Sequence, residues 1–236
     1  MIPRGWRKSV FARIENGADA AAARRDEASA KGERITSDPA RIPMLLGGRL
    51  AIDFANAPSC PGLASCELTW ETFVTFLEVS EVVSHDRGVS LLALLRSDPH
   101  SAEHILSRAN RLKTSLRKAF RALLHRERVL KEWVEPVNEI LRITEGHDEL
   151  VSDTTNWKLE FIAREGGLDW LLAAIARSAA ELVTAGSNAQ LRLCANPTCG
   201  LFFWDDSKTH RRRWCSMAVC GNRHKVASFV RRHAAR

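Results

Sequence analysis

Apolar residues recur along the chain at two different spacings. Residues 45–57 read LLGGRLAIDFANA, in which Leu50, Ile52 and Phe54 alternate with Ala51, Asp53 and Ala55. After a Gly47-Gly48 turn this alternation predicts a short strand. Residues 58–65 read as a loop. Trp70, Phe73, Val74 and Leu77 then fall at helical spacing behind Thr69, a residue suited to the N-cap. A short helix is predicted over 89–95. The strongest helix covers 101–126, where Ile105, Leu106, Ala109, Leu112, Leu116, Ala119, Phe120 and Leu123 form one stripe. Arg108, Arg111, Lys113, Arg117, Lys118 and Arg121 lie largely off that stripe, as a solvated face balanced by acids on neighbouring helices. Further helices are predicted over 131–142, with Pro136 early in it or kinking it, and over 168–184, ended by residues 186–188. Between them, residues 149–163 predict a hairpin: a strand at 150–152, a turn at 153–156, then Trp157, Leu159 and Phe161 alternating.

The fold expected from this pattern is mainly α with a few short strands (α+β). Residues 43–188 form a mostly helical body and 189–236 a small four-cysteine tail. Residues 1–42 lack large apolar residues to dock between 17 and 32 and read as a disordered leader. Met44 is an alternative start, and the sequence leaves open whether the residues before it belong to the native protein.

Charge sharpens this division. The net charge is +7, and between Cys194 and Arg236 stand nine basic residues against two acids, Asp205 and Asp206. The rest of the chain has 26 of each sign. A basic tail on a neutral body points to a polyanionic partner, nucleic acid before an anionic membrane surface. No apolar run reaches the roughly 18 residues of a membrane span, and residues 1–10 carry charge without a following apolar run, unlike a secretory signal. The expected setting is the cytoplasm, where clustered thiols bind metal more often than they pair.

The tail supplies the thiols. Cys194 and Cys199 are separated by four residues, as are Cys215 and Cys220, with fifteen residues between the pairs. Two close pairs on either side of a short arm match a structural zinc site, because each pair spans one edge of a tetrahedron of sulfurs. Pro197 and Gly200 provide turn chemistry for the first pair. Leu201 to Trp204 are apolar and β-prone, and predict a hairpin against the site. One zinc ion per chain is expected, with His210 and His224 as the other nearby donors. Cys60 and Cys66 have no matching partners and read as incidental thiols. From Ser216 the chain turns helical, with Val219, Val226, Phe229 and Val230 on one side.

The stretch RRWCSMAVCGNR (212–223), which contains the tetrad Cys220-Gly221-Asn222-Arg223, resembles the CGNR zinc finger family, and CANPTCG (194–200) resembles that family's first cysteine pair. The body resembles the ABATE domain that accompanies this finger: GGRLAIDFANA (47–57) is similar to its opening motif and AIARSAAELV (174–183) to its last helix. The resemblance runs from about residue 45 to the end. It implies a bacterial stress-induced transcription regulator whose zinc module contacts DNA.

In this reading Arg211, Arg212, Arg213, Lys225, Arg231 and Arg232 neutralise phosphates. Asn222 and Arg223, beside a metal ligand, either read adenine and guanine edges or, in the case of Asn222, brace the zinc knuckle. The helical body would supply a homodimer contact or sense a small-molecule effector. RNA binding, with Phe202, Phe203, Trp204 and Trp214 as stacking surfaces, and a protein-interaction module are the alternatives. Catalysis is not expected, because four thiolates leave zinc no open position. Asp53, His85, His104, His125 and His147 are scattered at spacings that organise no site.

Overall fold

The computed structural model describes residues 45–57, 67–143, 146–152, 157–163 and 168–234. The expected leader, the loop at 58–65 with Cys60, Cys66 after it, and the turn at 153–156 lie outside the described residues. The chain is a mainly helical body followed by the four-cysteine finger.

The first element corrects an expectation. Leu50–Asn56 is an α-helix (α1), not a strand, and Ala51 to Asn56 are all buried. Alternation marks a strand only when the intervening residues face water. Here they are Ala51, Asp53 and Ala55, small or satisfied, and a helix enclosed on every side needs no polar face. The preceding glycines are required by geometry. Gly48 has φ of +73°, and a side chain on Gly47 would meet Ile52 Cγ2 at 2.6 Å and Asp53 Oδ1 at 2.9 Å.

The remaining helices follow the sequence pattern more closely. Helix α2 (Trp70–Val79) begins in a reciprocal cap between Thr69 and Thr72 and buries Trp70, Phe73, Val74, Phe76 and Leu77. Helix α3 (His85–Ser97), capped by Ser84, extends beyond the predicted 89–95 at both ends. Helix α4 (Pro99–His125) starts with Asp98 accepting from Ser101 N–H and Pro99 at its first turn. Of the expected stripe it buries Ile105, Ala109, Leu112, Leu116, Ala119 and Phe120, with Leu106 and Leu123 half-buried.

The basic side of α4 is largely engaged within the fold. Arg108 pairs with Asp169 at 2.6 Å, Arg111 grips both carboxylate oxygens of Glu139 at 2.8 and 2.7 Å, and Arg117 donates to the Ala55 carbonyl at 2.8 Å. Lys113 departs from the expectation of a solvated face. It is buried, and burial pushes its ammonium down to about 8.

Helix α5 (Lys131–Ile143) carries Pro136 inside it. One 3₁₀ turn (Asp169–Leu172) leads into α6 (Ala173–Ala185), and Gly186 closes it. Strands β1 (Gly146–Ser152) and β2 (Trp157–Ala163) pair with each other, as the alternation predicts, and residues 146–162 belong to a unit apart from the main one. No helix among the described residues is long and apolar enough to cross a membrane.

Strands β3 (Leu191–Leu193) and β4 (Phe202–Trp204) pair antiparallel, with Leu191 opposite Trp204 and Leu193 opposite Phe202. Leu191 and Phe202 lie in the same buried cluster as Phe54, Phe73, Phe76 and Phe120 from the body. The Phe120 and Phe202 rings meet edge to face, 5.8 Å between centroids. Residues from the tail therefore fill part of the body's core.

Candidate metal centre

The four tail cysteines converge. One sulfur from each of Cys194, Cys199, Cys215 and Cys220 lies within 4.8 Å of all the others. The Cys199–Cys215 and Cys215–Cys220 separations are both 3.7 Å. Sulfurs at about 2.3 Å from a tetrahedral zinc stand about 3.8 Å apart, so the cluster fits one zinc ion. Cys194, Cys215 and Cys220 are buried and Cys199 is half-buried. His210 and His224 are not in the cluster: His210 Nδ1 lies 3.0 Å from the Asp205 carbonyl, and His224 packs on Trp214.

Local structure explains how each sulfur is placed. Cys194 N–H donates to the Leu201 carbonyl at 2.9 Å, continuing the β3–β4 hairpin. Asn196 Oδ1 accepts from Thr198 N–H at 3.2 Å, folding the chain back so that Cys199 N–H reaches the Asn196 carbonyl at 2.9 Å. Gly200, at φ +66°, then returns the chain to β4. Cys215 stands just before a π-turn (Met217–Gly221) that contains Cys220 and has Ser216 as its N-cap. This wide turn directs Cys220 inward and leads into the last helix, α7 (Asn222–Ala234). Gly221 is buried, and a side chain there would meet Met217 Sδ at 2.6 Å.

Electrostatics favour a cation at the centre. Four thiols this close cannot all ionise by themselves. The hydrogen bond from Cys215 pulls the Cys199 thiol down to about 5, while the same contact, with burial, pushes Cys215 far up. Burial raises Cys194 as well. A divalent ion removes this conflict by neutralising the thiolates together. Asn196 Nδ2 points at Cys220 Sγ from 3.5 Å, a polar brace on a ligand.

The arm between the pairs is organised by residues the sequence reading passed over. Asp205 is 0% exposed. It accepts from Ser207 N–H and Oγ–H and from Arg212 N–H, and its Oδ2 lies 2.7 Å from Arg192 Nε. The Nε–H direction misses the carboxylate, so this is an ion contact without a hydrogen bond. Burial pushes the Asp205 carboxyl up, but the Ser207 and Arg212 hydrogen bonds and the Arg192 charge outweigh it and hold it below its ordinary range. One signal for Asp205 was present in the sequence: an acid retained at the end of a strand inside a strongly basic segment.

Arg212, a phosphate contact on charge alone, is engaged within the finger. Its guanidinium donates to the Trp214 and Cys215 carbonyls at 3.2 and 2.6 Å, reaches Asp206 at 3.2 Å and lies over the Phe203 ring at 5.0 Å. Arg213 sits over the Trp214 ring at 5.2 Å, with its residue exposed, and Arg211 is exposed. Asn222, Arg223, Lys225 and Arg232 are exposed on α7. Among the described residues no partner holds the Asn222 side chain, and the amide that braces the knuckle is that of Asn196. Phe202 and Phe203 are fully buried, and Trp204 lies beneath Arg49 at 5.0 Å.

The finger is joined to the body around β4. Leu46 packs on the cysteine cluster. Trp204 N–H donates to the Gly47 carbonyl at 2.7 Å, and the Gly47 N–H is held by Asp53 Oδ1 at 2.6 Å. The Asn56 amide closes the remaining edge of the strand at Phe202.

No curated protein matches the chain. The family model for ABATE, described as a putative stress-induced transcription regulator, matches residues 48–186, and that for the CGNR zinc finger matches residues 190–233. The chain thus belongs to the ABATE family, and its four-cysteine centre is a CGNR zinc finger for one zinc ion.

Proposed function

We propose that this zinc-binding regulator acts on DNA in the cytoplasm, its zinc centre anchoring α7 so that the helix's basic side chains meet the duplex. The observation that carries this reading is the charge of the segment hung on the metal. Residues 207–236 contain nine basic residues and no acid. Every described side chain of α7 is exposed. A solvent-exposed cationic helix on a rigid base is suited to phosphate neutralisation and groove contact. Arg211, Arg213, Lys225 and Arg232 are the phosphate contacts in this reading, with Arg231 assigned from sequence alone. Asn222 and Arg223 lead the helix toward base edges.

The zinc has a structural role in this proposal. Four sulfurs complete its coordination and leave no position for a water or substrate. The burial of Phe202 and Phe203 weighs against single-strand stacking on them, so duplex DNA is favoured over unpaired RNA. Selection of bound sequences from a random duplex pool with zinc-loaded full-length protein tests the proposal. Enrichment of a motif is expected. Failure to enrich any sequence, together with no salt-dependent binding to duplex, would overturn it.

A further inference from the structure

Exposed large apolar side chains collect on α7. Val226 is 63% exposed, and Phe229 and Val230 are each 56% exposed. They stand at i, i+3 and i+4, so they share one side of the helix. Asn222 lies one turn before Val226 on that side, and His233 one turn after Phe229, with its ring 4.1 Å from the Phe229 ring. His224 falls on the opposite side and packs on Trp214 at 4.8 Å between centroids. The apolar stripe therefore faces away from the zinc module. Lys225 and Arg232, seven residues apart, border it on one flank and Arg223 on the other.

The surroundings of the stripe select its occupant. A second copy of this helix would bring basic flanks against basic flanks, with no acid after Asp206 to offset them. An anionic bilayer suits a broad apolar face, whereas this stripe is three side chains wide between polar Asn222 and His233. Duplex DNA presents phosphates on both sides of a groove whose floor carries thymine methyl groups, the apolar feature of the major groove. Cationic flanks around an apolar centre match that pattern.

We propose that the Val226, Phe229 and Val230 stripe of α7 covers thymine methyls in the major groove, with Lys225 and Arg232 on bordering phosphates and Arg223 reaching toward the base edges beside it. This rests on the reading of the chain as a DNA binder and assigns its base preference to A·T-containing sequence. Replacing thymine by uracil removes the methyl and leaves the hydrogen-bonding edge intact. Each covered methyl is expected to contribute about fourfold in affinity, from about 0.8 kcal/mol per buried carbon group.

The test uses zinc-loaded full-length protein with alternating poly(dA-dT) and poly(dA-dU) duplexes at one salt concentration. Wild type should bind the thymine duplex at least several-fold more tightly. The variant Val226→Ala/Phe229→Ala/Val230→Ala, with zinc content measured, should bind both duplexes alike, at the level wild type shows for the uracil duplex. Equal wild-type affinity for the two duplexes, or a methyl preference that survives in the variant, overturns the inference while leaving DNA binding intact. Loss of a solution dimer, or of phosphatidylserine vesicle binding, in the variant with its DNA preference unchanged would assign the stripe to those partners instead. No binding to either polymer or to mixed-sequence duplex would remove the DNA reading itself.

Discussion

The side-chain amide of Asn56 pairs with the backbone of Phe202 on both its edges: Nδ2 donates to the carbonyl at 2.8 Å, and Oδ1 accepts the N–H at 3.0 Å. Both residues are buried, and 146 positions separate them. The amide acts as one more strand along β4 and ties the body's first helix to the zinc finger. Asn56→Ala would leave a buried donor and a buried acceptor without partners. A loss of about 2–4 kcal/mol is expected, read from urea unfolding of zinc-loaded protein. A change below about 0.5 kcal/mol would mean that water or a shifted strand replaces the amide.

Because Leu191 and Phe202 sit in the body's core, body and finger should unfold together. Phe202→Ala is expected to cost about 3–5 kcal/mol. A chain ending at Gly186 should lose cooperative melting, and zinc chelation should lower the melting temperature followed by helical circular dichroism. A truncated body that melts as sharply as the whole chain would show that its core can close without the finger.

Purified protein should contain one zinc per chain, the number four thiolates hold. Cys215→Ser should lose most of the metal, since Cys215 lies 3.7 Å from two of the other sulfurs. Cys60→Ser should retain it. Metal analysis after gel filtration separates these outcomes.

Asp53 makes stability depend on pH in an identifiable direction. Burial pushes its carboxyl up to about 7, against the hydrogen bonds from Gly47 and Gly48 that pull it down. The folded chain therefore binds this proton more tightly than the unfolded chain does. Asp53 imposes no penalty below about pH 4, and stability falls as pH rises from about 4 to about 7. Asp53→Asn keeps an acceptor for Gly47 and removes the titration. The variant should gain on wild type across that window, by a few kcal/mol at most by pH 8. Parallel stability curves for the two proteins between pH 4 and 8 would count against this.

Arg211 and Arg212 are neighbours with different expected roles. Arg212→Ala should weaken zinc retention, because its guanidinium holds the Trp214 and Cys215 carbonyls. Asp205→Ala should do so more strongly, because it leaves the Ser207 and Arg212 N–H groups without their acceptor; about 2–4 kcal/mol is expected. Arg211→Ala should keep zinc and stability, weaken binding to all duplexes alike and lower the salt slope by about one. A selective loss on one sequence would make Arg211 a base contact.

The features of this protein that depend on local chemistry were legible along the chain. Cysteine spacing defined the metal centre, since two tight turns bearing paired thiols predict a sulfur tetrahedron wherever they are placed. Thr69 and the long stripe from Ile105 to Leu123 defined helices, because caps and periodicity act within a few residues. The location of positive charge was a matter of counting. Whatever depends on which face meets which emerged only from the packed fold. Helix α1 alternates like a strand, and only its enclosure on all sides makes it a helix. Lys113 and Arg212 look like solvated cations, and only their surroundings show one buried and the other bracing a ligand turn. Asn56 and Asp205 carry no periodic signal. Their roles arise where distant backbone meets a side chain able to satisfy it, and a buried polar group must be satisfied wherever in the chain its partner lies.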